Sequence, residues 1–239
     1  MNTENKTLFR KGLKDGIPTA LGYLSVSFAF GITAVKAGLS PLVAVLISLT
    51  NLTSAGQLAG VPVIASCGSL VGLALAQLTI NIRYFLMSIS LSQKLDKSFT
   101  MPHRLITAFG VTDENFGVAV SQEGRLKPVY IYGLILLPFL GWTFGTLLGA
   151  VAGEILPESV IDALGIAIYG MFVAIVLPPA KREKGVLVAS LIAIAISLSL
   201  AYVPLLSLIP SEYAIIIAAV SAAAVAAILF PVKETEDNQ

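Results

Sequence analysis

Apolar residues occur in long runs along this chain, and charged residues cluster between the runs. The longest run, 37–82, has no charged side chain over about 46 residues, roughly twice the length that a helix needs to cross a bilayer. The other uncharged runs are 16–35, 128–153, 163–180, 185–211 and 213–232. This pattern predicts an all-α, polytopic membrane helix bundle. We expect a transmembrane domain over 16–232, between a cytoplasmic N-terminal segment 1–15 and a cytoplasmic C-terminal tail 233–239.

The middle of the chain leaves the number of spans open between six and eight. The run 37–82 holds either two crossings or one crossing and a re-entrant hairpin, with the helix break expected near Pro62 and Gly68. The weaker apolar segment 105–120 either crosses once or is also re-entrant. Two re-entrant segments give six spans, and full crossings give eight.

Lysine and arginine positions predict the orientation of the chain. Basic residues precede the first run and also lie between the runs 163–180 and 185–211, so both places should be cytoplasmic. These residues are Lys6, Arg10, Lys11, Lys14, Lys181, Arg182 and Lys184. Counting spans then places both termini in the cytoplasm. The loop with Lys94, Lys97 and Arg104 follows the same rule only if there are six spans.

Composition narrows the class of protein. Hydrophobic residues make up 56% of the chain and charged residues 12%, and the mean hydropathy is +0.88. A formal charge of +1 offers no basic surface for nucleic acid. Because Cys67 and His103 are the only cysteine and histidine, the chain cannot form a disulfide or a Cys/His zinc site by itself. No phosphate-binding loop or catalytic motif is present, so we expect no enzymatic activity, cofactor or metal.

Four glycines recur at four-residue spacing in one run: Gly141, Gly145, Gly149 and Gly153. On a helix they form one flat face that a second helix can approach closely. That second helix belongs either to this chain or to another membrane subunit. The second alternative makes these glycines a candidate partner interface.

Two short matches raise the hypothesis of an internal repeat. Residues 30–31 and 39–41 (Phe-Gly, then Leu-Ser-Pro) resemble residues 144–145 and 155–157 (Phe-Gly, then Ile-Leu-Pro). Transporters are often built from duplicated halves with the binding site between them.

A polar cluster interrupts the longest apolar run. It contains Asn51, Thr53, Ser54, Gly56 and Gln57. Such residues permit a helix break that frees backbone amides and carbonyls for a ligand, a common device in transporters. The alternative is that the polar side chains only form hydrogen bonds between helices.

Charged residues at membrane depth are candidates for function. Arg83 follows Asn81 within an apolar segment, and Asp113 and Glu114 form an acidic pair within 105–120. The guanidinium group of Arg83 either extends to the interface or pairs with a carboxylate of the protein or of a substrate. Asp113 and Glu114 have two alternatives. Either a carboxylate there binds an ammonium group or carries a proton, or the segment is an interfacial amphipathic helix and both acids face water.

Four short motifs occur in order along the chain: Gly16-Ile17-Pro18, Thr53-Ser54-Ala55-Gly56-Gln57, Asn81-Ile82-Arg83-Tyr84 with Met87-Ser88, and Thr112-Asp113-Glu114. Together they resemble the AzlC family, the large subunits of bacterial branched-chain amino acid exporters. The resemblance covers roughly residues 10–230. Tyr84 differs from the histidine found in many members, so a proton-carrying role for histidine does not transfer to this chain.

The resemblance implies a secondary transporter subunit in the bacterial cytoplasmic (inner) membrane. It implies export of leucine, isoleucine and valine, with methionine and toxic analogues such as azaleucine. It also implies a small AzlD-type membrane subunit as partner. Two other functions remain as alternatives: a channel-like pore for small solutes, and an assembly subunit that transports nothing.

We expect an ion gradient to drive export, with the substrate bound as a zwitterion. By hypothesis, Arg83 and the backbone amides near residues 54–56 bind the substrate carboxylate. Asp113 or Glu114 receives the ammonium group or a coupling proton. The residues expected to orient the zwitterion are Asn51, Gln57 and Asn81.

Overall fold

The computed structural model describes residues 3–157, 159–160, 173, 176–177, 180–204 and 206–231. Its helices, numbered here in chain order, are α1 (Thr3–Lys36), α2 (Pro41–Thr50), α3 (Ser54–Ala65), α4 (Leu70–Ser92), α5 (Met101–Phe109), α6 (Asp113–Ser121), α7 (Pro128–Ile155), α8 (Lys184–Tyr202) and α9 (Ser211–Leu229). This helical architecture, with no strand in the described residues, confirms the predicted all-α membrane fold. The predicted run 163–180 lies largely outside the described residues. The two segments compared in the proposed internal repeat, 30–41 and 144–157, are described, and the repeat itself stays a hypothesis.

The chain divides into two compact units. Residues Met1–Ser66 and Asn81–Ile168 form the first unit, and Cys67–Ile80 with Tyr169–Gln239 form the second. In the second unit α8 packs against α9, and Gly185 at the start of α8 lies beside Phe230 just after α9. These two helices are therefore antiparallel. Every predicted site residue lies in the first unit.

Helices long and apolar enough to cross a membrane include α1, α4, α8 and residues Pro128–Gly153 of α7. At 1.5 Å rise per residue, even the 19 residues of α8 extend about 28 Å. The hydrocarbon core is about 30 Å thick. The 10 residues of α2 and the 12 of α3 extend only about 15 and 18 Å, so neither can cross alone.

Helices α1 and α7 lie side by side and run in the same direction. A Cβ atom built on Gly16 would lie 2.5 Å from the carbonyl oxygen of Leu134, and one built on Gly149 would lie 2.7 Å from the carbonyl carbon of Phe28. Residue numbers rise together along the two helices, which makes the pair parallel. Glycine allows this approach because any side chain at these positions would strike the facing backbone.

This packing corrects the predicted partner interface. Gly141, Gly145 and Gly149 all face α1 at distances that leave no room for a methyl group, and Gly153 lies next to Ile32. The groove is filled by α1 of the same chain, so it is not open to a second subunit. Of the two sequence-based alternatives, internal packing is the one found.

Helices α2 and α3 fold back on each other, and we call this pair hairpin one. Ala44 near the start of α2 and Val61 near the end of α3 belong to one buried cluster with Ala150 of α7. Leu52, between the two helices, belongs to another cluster with Trp142. Residue 142 lies about 12 Å before residue 150 along α7. Both helices therefore extend between the level of Ala150 and the level of Trp142, and the tip of hairpin one reaches the middle of the span formed by α7.

Local sequence explains where hairpin one begins and turns. Ser40 caps α2 by accepting a hydrogen bond from Val43 N at 3.3 Å, and Thr53 caps α3 by accepting one from Gly56 N at 3.3 Å. The helix break predicted at the polar cluster is confirmed at residues 51–53. The break predicted near Pro62 and Gly68 is found at residues 66–69, between the end of α3 and the start of α4, so it includes Gly68. Pro62 does not end the helix, because it lies inside α3, which continues to Ala65.

Helices α5 and α6 form a second re-entrant pair, called hairpin two. His103 near the start of α5 lies 2.5 Å from the hydroxyl of Tyr132, and Phe109 at the end of α5 packs edge-on against Phe139. The helix α5 thus runs alongside α7 and in the same direction. It reaches toward the middle of the span before the chain turns.

Helix α6 returns to the level from which α5 started. Glu114 in its first turn accepts a hydrogen bond from Tyr23 near the middle of α1, whereas Gln122 just after its end accepts one from Lys11. Hairpin two therefore enters from the side of the α1 N-terminus, and hairpin one enters from the opposite side.

The arrangement favours six spans over eight for this part of the chain. Between α1 and α7 only α4 is long enough to cross, and the two hairpins turn back. The loop with Lys94 then lies on the same side as Lys11, since both lysines donate to Gln122. This agrees with the distribution of basic residues. The cytoplasmic location of the termini stays a prediction.

Candidate functional site

Predicted site residues build the tip of hairpin one. Asn51 accepts a hydrogen bond from Thr53 N through Oδ1 at 3.1 Å, and its backbone carbonyl accepts one from Gln57 Nε2 at 2.7 Å. The hydroxyl of Thr53 donates to Oδ1 of Asn81 on α4 at 2.8 Å. The tip is thus held in shape by its own side chains and fastened to α4. The amides of Ser54 and Gly56 lie in the first turn of α3, and their binding of a substrate carboxylate stays a prediction.

A buried chain of hydrogen bonds fastens hairpin one to α7. Gln57 Nε2 lies 3.4 Å from Ser48 Oγ, which lies 2.7 Å from Thr146 Oγ1, and Thr146 donates to the carbonyl of Trp142 at 3.0 Å. Ser48 and Thr146 are completely buried. Sequence reasoning missed both. The only signal was a hydroxyl group at membrane depth, which many packing residues share.

The tip of hairpin two repeats this construction. Thr112 caps α6 by accepting from Asn115 N at 3.4 Å, and Asn115 Nδ2 donates back to the carbonyl of Gly110 at 3.0 Å. In both hairpins, therefore, a threonine caps the second helix and a buried side-chain amide holds the turn before it. Asn115 was missed as a structural residue because it directly follows the more conspicuous acidic pair.

Arg83 and Asp113 are brought together by the fold. Their charged groups lie 2.9 Å apart, Nη1 to Oδ2, and Arg83 also lies over the ring of Tyr84 at 5.0 Å from the ring centre. Of the alternatives for Arg83, pairing with a protein carboxylate is the one observed. The two side chains are 44% and 41% exposed. The pair lies at a surface of the first unit, whereas the sequence led us to expect an enclosed one.

Glu114 has a different environment. Tyr23 of α1 donates a hydrogen bond to Glu114 Oε2 at 2.6 Å, and the Tyr23 ring packs edge-on against Trp142 with centres 5.1 Å apart. Leu52 from the tip of hairpin one packs in the same cluster. Tyr23 and Trp142 were not predicted. Their signal is an aromatic ring with one polar atom in the middle of a span.

The two tips therefore meet around one level of the first unit. Hairpin one provides the start of α3, and hairpin two provides the start of α6. On α4, Asn81 contacts the tip of hairpin one and Arg83 contacts the tip of hairpin two. One cation faces two acids there, Asp113 and Glu114. When all three are ionised, the group carries one excess negative charge, which a proton or an ammonium group would neutralise.

Comparison with known proteins finds one family model and several membrane-protein relatives. A family model described as AzlC protein matches residues 18–156. An uncharacterized membrane protein of Archaeoglobus fulgidus is 35% identical over 176 residues, covering 73% of this chain and 77% of that protein. The inner membrane protein YgaZ of Escherichia coli is 30% identical over 189 residues, covering 76% of this chain and 77% of that protein.

A more distant relative and the family match complete the comparison. An uncharacterized membrane protein of Helicobacter pylori is 27% identical over 154 residues, covering 61% of this chain and 66% of that protein. No solved structure matches the chain. The family match spans hairpin one, α4, hairpin two and α7, and these elements contain every predicted site residue. The chain is a multi-pass membrane protein, and it belongs to the AzlC protein family.

Proposed function

We propose that this protein is the large subunit of a secondary transporter that exports branched-chain amino acids. A membrane transporter role follows from the family and the membrane-protein relatives. The observation that carries the rest is the meeting of two re-entrant hairpin tips with Arg83, Asp113 and Glu114. Half-helices that end at the middle of a membrane present free backbone groups to small charged solutes.

The charges at the tips suit a zwitterion that is exchanged for a proton. Arg83 neutralises Asp113 across 2.9 Å. Within the described part of the chain Glu114 is held by the hydroxyl of Tyr23, and no lysine or arginine lies within ion-pair distance of it. Glu114 is therefore our candidate for the group that accepts the coupling proton or the substrate ammonium group. Proton and ammonium would compete for one carboxylate, and this competition provides coupling.

The aliphatic part of the substrate needs only apolar surroundings. One methylene in such a pocket changes binding by about 1–3 kcal/mol, so leucine, isoleucine and valine should be poorly distinguished. Methionine and toxic analogues of similar size should also be accepted. Broad specificity is therefore expected.

The proposal is tested by leucine transport in proteoliposomes with and without a proton gradient. Wild-type protein should concentrate leucine only when the gradient is present. Glu114→Gln removes the titratable group, so it should abolish the response to the gradient while exchange of leucine for leucine persists. Glu123→Gln is the matched control, because this acid lies in the loop after hairpin two. A normal gradient response in Glu114→Gln would contradict the coupling role.

The same assay separates the rival functions. A channel-like pore would equilibrate leucine without concentrating it, whatever the gradient. An assembly subunit would give no leucine flux at all. Either result would overturn the proposal.

We further propose a small AzlD-type membrane protein as the partner. Since α1 covers Gly141, Gly145 and Gly149, this partner should bind another surface. Co-expression with a tagged AzlD-type protein should yield a complex that survives purification in mild detergent. If the two co-expressed proteins separate from each other during this purification, the proposed complex is contradicted.

A further inference from the structure

The two hairpin tips have the same construction but opposite electrostatic character. Thr53 and Thr112 each cap the second helix of a hairpin by accepting from the amide three residues further on. Helix α6 carries Asp113 and Glu114 in its first turn, whereas the first turn of α3 has no acidic residue. An acid in the first turn balances the positive end of a helix. In α3 no first-turn side chain does this.

Two buried polar atoms near the tip of hairpin one have no partner in the described residues. One is the indole Nε1–H of Trp142, a residue only 2% exposed, and the other is Oε1 of Gln57, a residue 3% exposed. The Trp142 ring packs in one cluster with Leu52, the residue directly before the Thr53 cap. Gln57 lies at the fourth position of α3 and bonds the tip through its other amide atom. A buried donor and a buried acceptor without partners are unfavourable unless a ligand satisfies them.

We propose that the tip of hairpin one binds the head group of an α-amino acid. The carboxylate accepts from the amides of Ser54 and Ala55 in the first turn of α3 and from Nε1–H of Trp142. The ammonium group donates one of its three N–H groups to Oε1 of Gln57 and leaves the others for Glu114. This inference rests on the proposed export function and makes it more specific. Arg83 forms an ion pair with Asp113 of hairpin two, so it does not bind the carboxylate of the substrate. Because both unpartnered atoms are shielded, the head group reaches them when hairpin one moves away from α7.

The structure supplies a charge test. Ala55 is the second residue of α3, the position that Glu114 has in α6. Ala55→Glu gives hairpin one the acid that hairpin two already has, and a helix start tolerates this charge. Ala55→Gln is the control of matched size. Leucine should bind the glutamate variant at least about tenfold more weakly than the glutamine variant, because the new carboxylate competes with that of leucine.

A second variant tests the indole donor. Trp142→Phe removes Nε1–H and keeps an aromatic ring against Tyr23. Its affinity for leucine should fall by about tenfold, as expected for loss of a hydrogen bond to a charged group. Leucinamide retains the ammonium group and lacks the carboxylate, so its affinity should change much less. A merely structural role for Trp142 would weaken both ligands equally.

The experiment is equilibrium binding of radiolabelled leucine and leucinamide to the purified full-length protein in lipid nanodiscs. Weaker leucine binding in Ala55→Glu than in Ala55→Gln, with leucinamide spared, supports the proposal. Equal leucine affinity in these two variants, together with an unchanged ratio of leucine to leucinamide affinity in Trp142→Phe, would overturn the head-group site alone. Absence of leucine binding by the wild-type protein would overturn the export function as well.

Discussion

Replacing Gly149 by alanine places one methyl group in the tightest region between α1 and α7. The new Cβ atom would lie 2.7 Å from the carbonyl carbon and 2.8 Å from Cα of Phe28, where 3.4 Å is the lower end of ordinary contact. The obstacle is backbone and cannot rotate away, so the helices must separate by at least about 0.7 Å. Overpacking of this kind costs about 1–3 kcal/mol.

The matched control is Gly22→Ala on α1. A Cβ atom at Gly22 meets nothing within 4 Å, and alanine is the better helix former by about 1 kcal/mol. Thermal unfolding of the purified chain, followed by size-exclusion chromatography, should give a melting temperature that is several degrees lower for Gly149→Ala than for Gly22→Ala. A domain of this size loses about 2–4 °C per kcal/mol.

The result also distinguishes the two interpretations of the glycine face. If Gly149 contacted a partner subunit, alanine would leave the isolated chain as stable as the control and would weaken only the complex. Equal melting temperatures for the two variants would refute the packing argument. A loss confined to copurification of the partner would restore the interpretation that the structure has corrected.

Two further predictions concern the hairpins. Thr146→Val should lower stability by about 1–3 kcal/mol, because it leaves Ser48 buried without its 2.7 Å partner. The double variant Thr146→Val with Ser48→Ala should recover part of this loss. Thermal unfolding of the wild-type protein, the two single variants and the double variant measures the recovery. If the two single losses simply add in the double variant, the hydrogen bond is contradicted. Arg83→Ala should reduce the amount of folded protein in membranes, since it leaves the carboxylate of Asp113 without its neutralising partner at membrane depth. Adding Asp113→Asn should restore that amount, and no recovery would contradict the pairing.

The sequence alone determined the environment, the helical class and the place of one break. Apolar runs of span length require a bilayer, and a bilayer requires helices whose backbone groups pair internally. Polar residues at 51–57 marked the break, because a capping threonine and an asparagine provide local partners for freed backbone groups. These are local properties, and a local pattern is sufficient to encode them.

Only the tertiary structure decided which elements meet. Tyr23 and Glu114 are 91 residues apart, and Ser48 and Thr146 are 98 residues apart. No local pattern encodes such contacts, since a polar side chain in an apolar run is compatible with many partners. The glycine face shows the same limit: its spacing predicted a close helix contact correctly, but it could not say whose helix fills the groove. Spacing fixes the shape of a surface, whereas the occupant depends on how the whole chain folds around it.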